Sequence, residues 1–392
     1  MTFRLLVLAV TVACSTAFAA KPISLVFSAK LPVLGLGLDD HLTVVRRLEI
    51  PQERSDQLRR ARRITPSLRA DLERFARGID RAPADTRFEA LKNRWGAVQR
   101  DGWTVDLAAT ETALLEVLQD ASRGQVNVVY TSTPPTRTVE FFRKRGIMTL
   151  LGEGVSSYAG SSAARVTNIH VGARNFQDRL FEGEVFSFNR MVGNINARAG
   201  YVAGIVISGD STASGVGGGI CQVSTTVFRS LFAAGLPIKE RKNHSYQIHY
   251  YHPTGLDATI YQPTVDLKFT NDTQGALWFQ TEWDDRRARL VVRTFGKPRR
   301  ERVVIGDPVI LSSTPVPPNR FVTDARLAPG QTRLLEGGAR GAVVQVTRRF
   351  EDPASGQLIR SETLRSNYRP WPNTYAIGPA SDSSARVSSS AR

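Results

Sequence analysis

The stretch GVGGGICQVSTTVFRSLFAAGL, residues 215–236, places Cys221 directly after three glycines and at the start of an apolar helical pattern. Apolar residues recur at helical spacing, namely Ile220, Val223, Val227, Leu231 and Ala234. Gly235 and Pro237 then stop the helix, so Cys221 lies in its first turn. Free backbone N–H groups and the positive end of the helix dipole favour a thiolate there. Cys221 is therefore a candidate nucleophile, and the same donors can stabilise an acyl-transfer oxyanion.

The glycine loop has three interpretations at this stage. A phosphate loop is excluded, because GxxxxGK[ST] requires a lysine and a hydroxyl that this loop lacks. A nucleophile and a buried, inert thiol packed as a small apolar residue both remain open for Cys221. Glycines also let the backbone approach a substrate closely. The candidate substrate-binding residues of this loop and turn are Gly217, Gly218, Gly219, Gln222 and Ser224.

A cysteine nucleophile also needs a base, and the chain has five histidines, of which three lie in RKNHSYQIHYYHPTGLDAT. In an extended strand, His244 and His252 would share a face, whereas His249 would point away. The spacing of these histidines matches no common zinc pattern, so we predict no metal site and no cofactor. Each histidine also has a simpler interpretation as a surface or hydrogen-bonding residue.

A carboxylate that orients the base would complete a triad. Glu240, Asp257 and Asp266 all lie nearby in sequence, and spacing alone does not choose between them. Arg241 is a candidate for binding a substrate carboxylate, because guanidinium geometry suits that group. Its alternative interpretation is a surface arginine in an arginine-rich chain.

The N-terminus predicts export. The segment MTFRLLVLAVTVACSTAFAAKP has a basic residue, a short apolar run and a small-residue cleavage site, which are typical of a secretory signal peptide over residues 1–20. A lipoprotein signal acylated at Cys14 is the competing interpretation. After ordinary cleavage Cys221 is the one cysteine left, in an oxidising compartment where an unpaired thiol needs a reason.

Composition narrows the class of partner. The chain has 392 residues with 41% hydrophobic and 22% charged content, which predicts a globular protein of two or three domains. Its net charge of +16 favours anionic partners such as cell-wall polymers. We find no nucleic-acid-binding motif and no apolar run long enough to span a membrane. The oligomeric state is not predicted.

The elements that must position these residues predict a multidomain α+β protein. We expect a mixed α+β domain over residues 50–150, a central α+β domain with antiparallel strands over 151–300, a β-rich module over 301–375 and a disordered tail over 376–392. In the first domain, Asp106 caps a helix and residues 100–102 turn a hairpin. Strand-like runs over residues 258–296 predict an antiparallel meander. The prolines of residues 312–320 predict a stiff connection, and residues 352–356 predict a hairpin turn.

Several of these motifs resemble the VanW family, a cell-envelope domain first associated with vancomycin-resistance gene clusters. The resemblance covers residues 185–285 and rests on FSFN, MVGN, GGGICQVSTT, KERKNHS, PTGLDATI and VDLKFTN. The segment RFEALKNRWGAVQRDGWTVDLAATETALLEVL is similar to the peptidoglycan-binding domain that often precedes VanW domains. The segment from DARLAPGQ to NYRPWP resembles the β-rich G-five module.

The resemblance implies a role at peptidoglycan by cysteine L,D-transpeptidation. In that chemistry a thiolate attacks a stem tetrapeptide, releases the terminal D-amino acid and passes the acyl group to an amine. The resemblance implies Cys221 as nucleophile, His244 as base and Asp257 as an orienting or turn-holding residue. The older L,D-transpeptidase signature around S/T-H-G-x-x-x-C-x-N is absent. A non-catalytic wall-binding protein, with a structural Cys221, is the alternative.

Overall fold

The structure, a computed structural model, describes residues 20–35, 41–91, 94–208 and 211–379, without the side chains of 205–208 and 211–214. Of the predicted signal peptide, residues 1–19, including Cys14, lie outside the described residues. Of the predicted tail, residues 380–392 lie outside them. With 23% helix and 40% strand, the predicted α+β class is confirmed. Within the described ranges, the helices are all too short or too polar to cross a membrane.

The chain divides into two compact units, Met1–Phe141 and Phe142–Arg392. The predicted division at residue 150 falls near this boundary, and the predicted division at residue 300 falls inside the second unit. The finer domain boundaries remain predictions.

The first unit combines short sheets with three helices. Its elements are β1 (Ile23–Leu34), β2 (His41–Ile50), α1 (Gln52–Ala61), α2 (Pro66–Ile79), β3 (Phe88–Leu91), β4 (Arg94–Val98), β5 (Gly102–Val105), α3 (Leu107–Gln119), β6 (Gln125–Asn127) and β7 (Tyr130–Thr133). A short helix, α4 (Val139–Arg143), contains the division between the units. The main sheet has the order β2-β1-β4-β3, with β6 parallel to β1.

Helix caps and apolar faces explain the helices of this unit. Asp106 accepts a hydrogen bond from the Ala109 N–H at 2.9 Å, as predicted for the start of α3. Thr65 caps α2 in the same way, from the N–H of Leu68. The alternating strand β1 buries Phe27 completely in the core between these helices and the sheet.

One strand prediction in this unit was wrong. The expected hairpin turn at residues 100–102 instead connects β4 to β5, which belong to different sheets, because β5 pairs with β7. Gly102 is needed for a close approach, since a Cβ there would lie 2.6 Å from Pro83 Cδ. Residues 125–133 contain two short strands with different partners, because β6 pairs with β1 and β7 pairs with β5.

The second unit contains most of the sheet structure. Its elements are β8 (Thr149–Ser157), α5 (Ala163–Arg174), β9 (Arg179–Phe181), β10 (Val185–Ser187), α6 (Phe188–Val192), β11 (Ala203–Ser208), β12 (Ser211–Val216), α7 (Ile220–Ala233), β13 (Ile238–Glu240), β14 (Lys268–Thr270), β15 (Leu277–Asp284), β16 (Arg289–Gly296), β17 (Arg302–Ile305), β18 (Val309–Thr314), β19 (Arg320–Thr323), β20 (Thr332–Glu336), β21 (Gly341–Glu351), β22 (Leu358–Tyr368) and β23 (Thr374–Ile377). Single 3-10 turns occur at Ala197–Ala199 and His249–Tyr251.

A four-stranded antiparallel sheet of order β8-β16-β15-β9 supports the central helix α7. Gly152 and Gly154 let α7 lie directly on β8, because a Cβ at either position would come within 2.3 Å of a helix backbone oxygen. The helix is therefore buried almost all round, and its polar residues must be hydrogen-bonded.

The predicted meander over residues 258–296 was correct only for β15 and β16. The strand β14 pairs with β10 and β13 in a separate sheet, because residues 265–271 return to the segment that precedes α6. This return places the segment 241–260 beside the start of α7.

The C-terminal strands form two sheets, β17-β21-β18 with β22 paired to β21, and β19-β23-β20. The predicted hairpin is confirmed, because Asp352 accepts from the Ser355 N–H at 2.7 Å between β21 and β22. The predicted connection at residues 312–320 overlaps the end of β18 and the start of β19. The hairpin β21-β22 carries Tyr368 toward the segment that holds Asp257.

Candidate active site

Cys221 is the second residue of α7, as the apolar spacing predicted. The preceding loop needs glycine, because Gly217 has φ +88° and Gly219, the N-cap, has φ +113°. Asn168 of α5 fixes this loop, since its side-chain amide donates to the Gly218 and Val202 carbonyls at 3.0 Å. The position of the cysteine is therefore set by rigid neighbouring elements.

The backbone of this first turn leaves one donor open. The Ile220 N–H donates to Gly217 O and the Gln222 N–H to Gly219 O. Across the described part of the chain, the Cys221 N–H has no acceptor. A free N–H beside the sulfur is the donor that an oxyanion would require.

The sulfur of Cys221 is partly buried, and its side chain packs against the edge of the main core. Its Sγ lies 3.6 Å from the Thr259 hydroxyl and 3.7 Å from the Ile260 carbonyl. Both residues follow Asp257 directly in the chain. Thr259 and Ile260 thus fix one side of the thiol.

His244 lies beside this thiol and is only 5% exposed. Its Nδ1 is 2.5 Å from Asp257 Oδ2, and its backbone N–H donates to the same oxygen at 2.8 Å. Its Nε2 is buried and makes no hydrogen bond of regular geometry within the described residues. Tyr251 stacks on the ring, with centroids 4.5 Å apart. Asp257 and Tyr251 therefore fix the ring, and its buried Nε2 is left for the neighbouring Cys221 thiol.

Asp257 is buried, with its side chain 3% exposed, and its charge is fully surrounded. Oδ1 accepts from the Tyr368 hydroxyl at 2.5 Å and from Arg241 Nη2 at 3.3 Å. The Tyr368 hydroxyl in turn accepts from the Gly255 N–H at 2.9 Å. A carboxylate buried in this way stays ionised because each oxygen has donors.

The residues of the site come together because side chains of α7 hydrogen-bond to the backbone of the segment after His244. Ser224 and Thr225 donate to the Ala258 carbonyl at 2.6 and 3.3 Å. Arg229 donates to the Leu256 and Tyr251 carbonyls at 2.8 and 2.6 Å. Losing one such buried bond costs about 1–3 kcal/mol. These bonds hold Asp257 and Tyr251 at fixed distances from the helix start.

The electrostatics favour an ion pair between the thiol and the imidazole. Burial raises the pKa of the Cys221 thiol, but the His244 imidazole, the Ile260 backbone and the Thr259 hydroxyl together bring that pKa below its usual value. Burial lowers the pKa of His244, but Asp257 and Cys221 raise it to about 9. Burial likewise opposes ionisation of Asp257, and His244 and Arg241 hold the pKa of that carboxyl well below its usual range. Both pKa shifts act in the direction of a thiolate paired with an imidazolium.

Three side chains that we predicted to bind substrate, those of Gln222, Ser224 and Arg241, are buried next to the site. Gln222 is fully buried and donates to Ser156 Oγ at 3.1 Å, and Ser224 is fully buried as well. Arg241, for which we predicted a substrate carboxylate, is bonded to protein groups in the structure. Its side chain is 3% exposed and its guanidinium is taken up by Asp257, Gly255 O and Ser366 Oγ. These three residues hold the neighbouring segments of the site by hydrogen bonds.

The predicted glycines divide differently. Gly217 and Gly218 are buried, whereas Gly219 is partly exposed at the helix cap. Gly219 alone of the three therefore has surface that a ligand can reach, and the other two shape the loop.

The other candidate bases and carboxylates do not reach Cys221. His252 and His249 are exposed, and His252 Nδ1 lies 3.3 Å from Thr254 Oγ1.

Glu240 pairs with Lys268 at 2.7 Å. Asp266 accepts from the Asn189 N–H at 2.9 Å and so fixes the FSFN segment. Of the three candidate carboxylates, Asp257 is the one that the structure brings to a histidine.

Three residues of the site have no signal in the local sequence. Tyr368, Tyr251 and Arg165 come from a distant strand, a 3-10 turn and α5. The described residues contain no group of three or more acidic, histidine or cysteine side chains that could hold a metal ion.

Residues 164–293 match the family model described as VanW like protein. The chain is 38% identical over 122 residues to the uncharacterized protein YoaR of Bacillus subtilis (strain 168), over 31% of this chain and 40% of YoaR. It is 30% identical over 127 residues to the vancomycin B-type resistance protein VanW of Enterococcus faecalis (strain ATCC 700802 / V583), over 31% of this chain and 46% of that protein. The chain thus spans less than half of either relative.

Among solved structures, the G5 domain of IgA1 protease matches 22% of this chain and 100% of its own, with a TM-score of 0.14 and 17% sequence identity.

Proposed function

Because residues 164–293 form a VanW-like domain, we propose that this chain acts on peptidoglycan at the cell envelope by cysteine-dependent acyl transfer of the L,D-transpeptidase type. One relative is named a vancomycin B-type resistance protein. The resemblance of the motifs implies a wall-associated, exported protein, and the net charge of +16 suits anionic wall polymers.

The observation that carries the proposal is the arrangement of Cys221, His244 and Asp257. The thiol lies in the first helix turn, the imidazole is fixed by a 2.5 Å contact to a buried carboxylate, and its other nitrogen has no regular hydrogen-bond partner in the described residues. A structural cysteine does not require a buried histidine whose Nδ1 is held by an ionised aspartate. In a nucleophilic site, such a histidine activates the thiol and the aspartate orients its ring.

The proposed reaction has two half-reactions that balance. The Cys221 thiolate attacks a stem-peptide carbonyl and a C–S bond forms, while the Cys221 N–H stabilises the oxyanion. The C–N bond to the terminal residue breaks, and His244 gives its Nε2 proton to the leaving amine. The acceptor amine then attacks the thioester and loses a proton to His244. The C–S bond breaks and the thiolate is restored.

The test is a product assay with a tetrapeptide donor and an amine acceptor. The wild-type protein should release the terminal amino acid and form the cross-linked peptide, as followed by liquid chromatography and mass spectrometry. Cys221→Ala should form neither product while keeping its thermal unfolding midpoint. Binding of peptidoglycan by the wild type without either product would overturn acyl transfer and leave a wall-binding function.

A further inference from the structure

We propose that Arg165 binds the carboxylate that an acyl donor carries next to its scissile amide, and so selects donors with a free terminal carboxylate. This inference rests on the proposed acyl transfer, since it names the donor class of the same site. It concerns Arg165 of α5, which interacts with Tyr251, the residue that stacks on His244.

Arg165 lies at the edge of the glycine loop. Its Cγ would be 3.0 Å from a Cβ at Gly219, the residue that caps α7 two positions before Cys221. The side chain of Arg165 is partly buried. The stem of the Arg165 side chain therefore passes beside the N-cap of the helix that carries the thiol.

The guanidinium is held in place without being neutralised. Its Cζ lies 3.8 Å from the centroid of the Tyr250 ring, and its Nη1 donates to Ser161 Oγ at 2.7 Å. Arg165 also interacts with Tyr251, the residue that stacks on His244. Within the described parts of the chain, Arg165 has no carboxylate partner.

The environment of Arg165 differs from that of Arg241, which is bonded to Asp257. Arg241 is 3% exposed and its donors are used by Asp257, Gly255 and Ser366. Arg165 bonds to Ser161 and interacts with Tyr250 and Tyr251, and these neighbours limit its motion without using a carboxylate. A guanidinium that is positioned but not paired is suited to bidentate recognition of a planar carboxylate.

The chemistry of the donor fits this position. A stem peptide with one residue after the scissile bond carries its terminal carboxylate on the leaving residue. That carboxylate lies only a few atoms from the carbonyl carbon that Cys221 attacks. The thiolate and imidazolium cancel in charge, so Arg165 supplies the remaining positive charge for the donor.

The first test uses two alkylating agents of similar size. Iodoacetate is anionic and iodoacetamide is neutral, and modification of Cys221 is followed by peptide mass mapping. Arg165→Gln should lower the rate with iodoacetate about threefold to tenfold and leave the rate with iodoacetamide unchanged. Arg174→Gln is the matched control, because it removes an equal charge from the exposed far end of α5. Arg165→Lys should restore part of the iodoacetate rate.

The second test compares a tetrapeptide donor with its C-terminally amidated form. The wild type should acylate at least about tenfold faster with the free carboxylate, and Arg165→Gln should lose that preference. Acylation of the wild type with an unchanged preference in Arg165→Gln would overturn this inference and leave the proposed function standing. A lowered iodoacetate rate in Arg165→Gln, with no acylation of wild type by either donor, would support the anion site and overturn acyl transfer.

Discussion

Two histidines of the second unit each lie against an aspartate, and their environments differ. His244 Nδ1 is 2.5 Å from Asp257, whose side chain is 3% exposed. His170 Nε2 is 3.0 Å from Asp285, whose side chain is 61% exposed, and the contact lacks hydrogen-bond geometry. The same two residue types thus form a fixed buried pair in one place and a loose solvent-facing contact in the other.

The difference shows what turns a histidine and an aspartate into a catalytic pair. Asp285 is screened by water, so its interaction with His170 contributes little. The ring of His170 stacks on Trp283 at 4.9 Å, which is a packing role. Asp257 cannot be solvated, so Tyr368 and Arg241 hold its charge and the imidazole becomes rigid. His244 also interacts with the Cys221 thiol.

The largest expected difference between the two pairs comes from removing the histidines. His244→Asn should lower the rate of acyl transfer about 100-fold or more, because both proton transfers pass through its Nε2. His170→Asn should change the rate less than about twofold. The measurement is the initial rate of terminal amino acid release. Equal losses in the two variants would contradict the comparison.

Removing the two carboxylate charges should separate the pairs again. Asp257→Asn should lower kcat about 10- to 100-fold, because the neutral amide neither stabilises the imidazolium nor fixes the tautomer of the neutral ring. It should also lower the free energy of unfolding by about 3 kcal/mol, since the Arg241 charge is left buried without a carboxylate. Asp285→Asn is the control and should change both quantities little. Steady-state kinetics and denaturant unfolding check both, and a kcat of Asp257→Asn equal to that of wild type would refute the orienting role.

The fall of the acylation rate at high pH should depend on His244 and not on His170. The pKa of His244 is raised to about 9, so its ring carries the proton below that pH and loses it as the pH rises through that value. Since the leaving amine needs that proton, the acylation rate should fall about tenfold per pH unit above 9. The basic limb should be unchanged in His170→Asn. A basic limb that persists in His244→Asn would assign it to another group.

The smallest effects should come from the tyrosines that donate to the two aspartates. Tyr368→Phe removes the hydroxyl between Gly255 N–H and Asp257, and should cost about 1–2 kcal/mol of stability with a rate loss of about threefold. Tyr158→Phe removes the 2.6 Å bond to exposed Asp285 and should cost less than about 1 kcal/mol. Thermal unfolding of the two variants measures this. A larger loss for Tyr158→Phe would argue against the contrast in burial.

The local features of the site could be predicted from the sequence. The helical spacing after the glycines and the stop signals correctly placed Cys221 in the first turn of α7. Local patterns suffice here because a helix and its caps are determined by neighbouring residues. Spacing alone left Glu240, Asp257 and Asp266 as equal candidates.

The long-range features could not be predicted. The pairing of His244 with Asp257 depends on hydrogen bonds from α7, and Tyr368 lies in β22, more than a hundred residues further along the chain. Arg241 was assigned to the substrate because a sequence does not show which guanidinium will be buried. Arg165 was missed because its helical context gives no sign of its distant neighbours Gly219 and Tyr250.

The most direct test of the central claim is the intact mass of the protein after a rapid acid quench with a tetrapeptide donor. Wild-type protein should carry one added acyl group, mapped to Cys221, with the terminal residue lost from the donor. Cys221→Ala should carry none, and His170→Asn should carry as much as the wild type. An unmodified wild type, together with alkylation of Cys221 at the slow rate of an ordinary thiol, would contradict a cysteine nucleophile at this site.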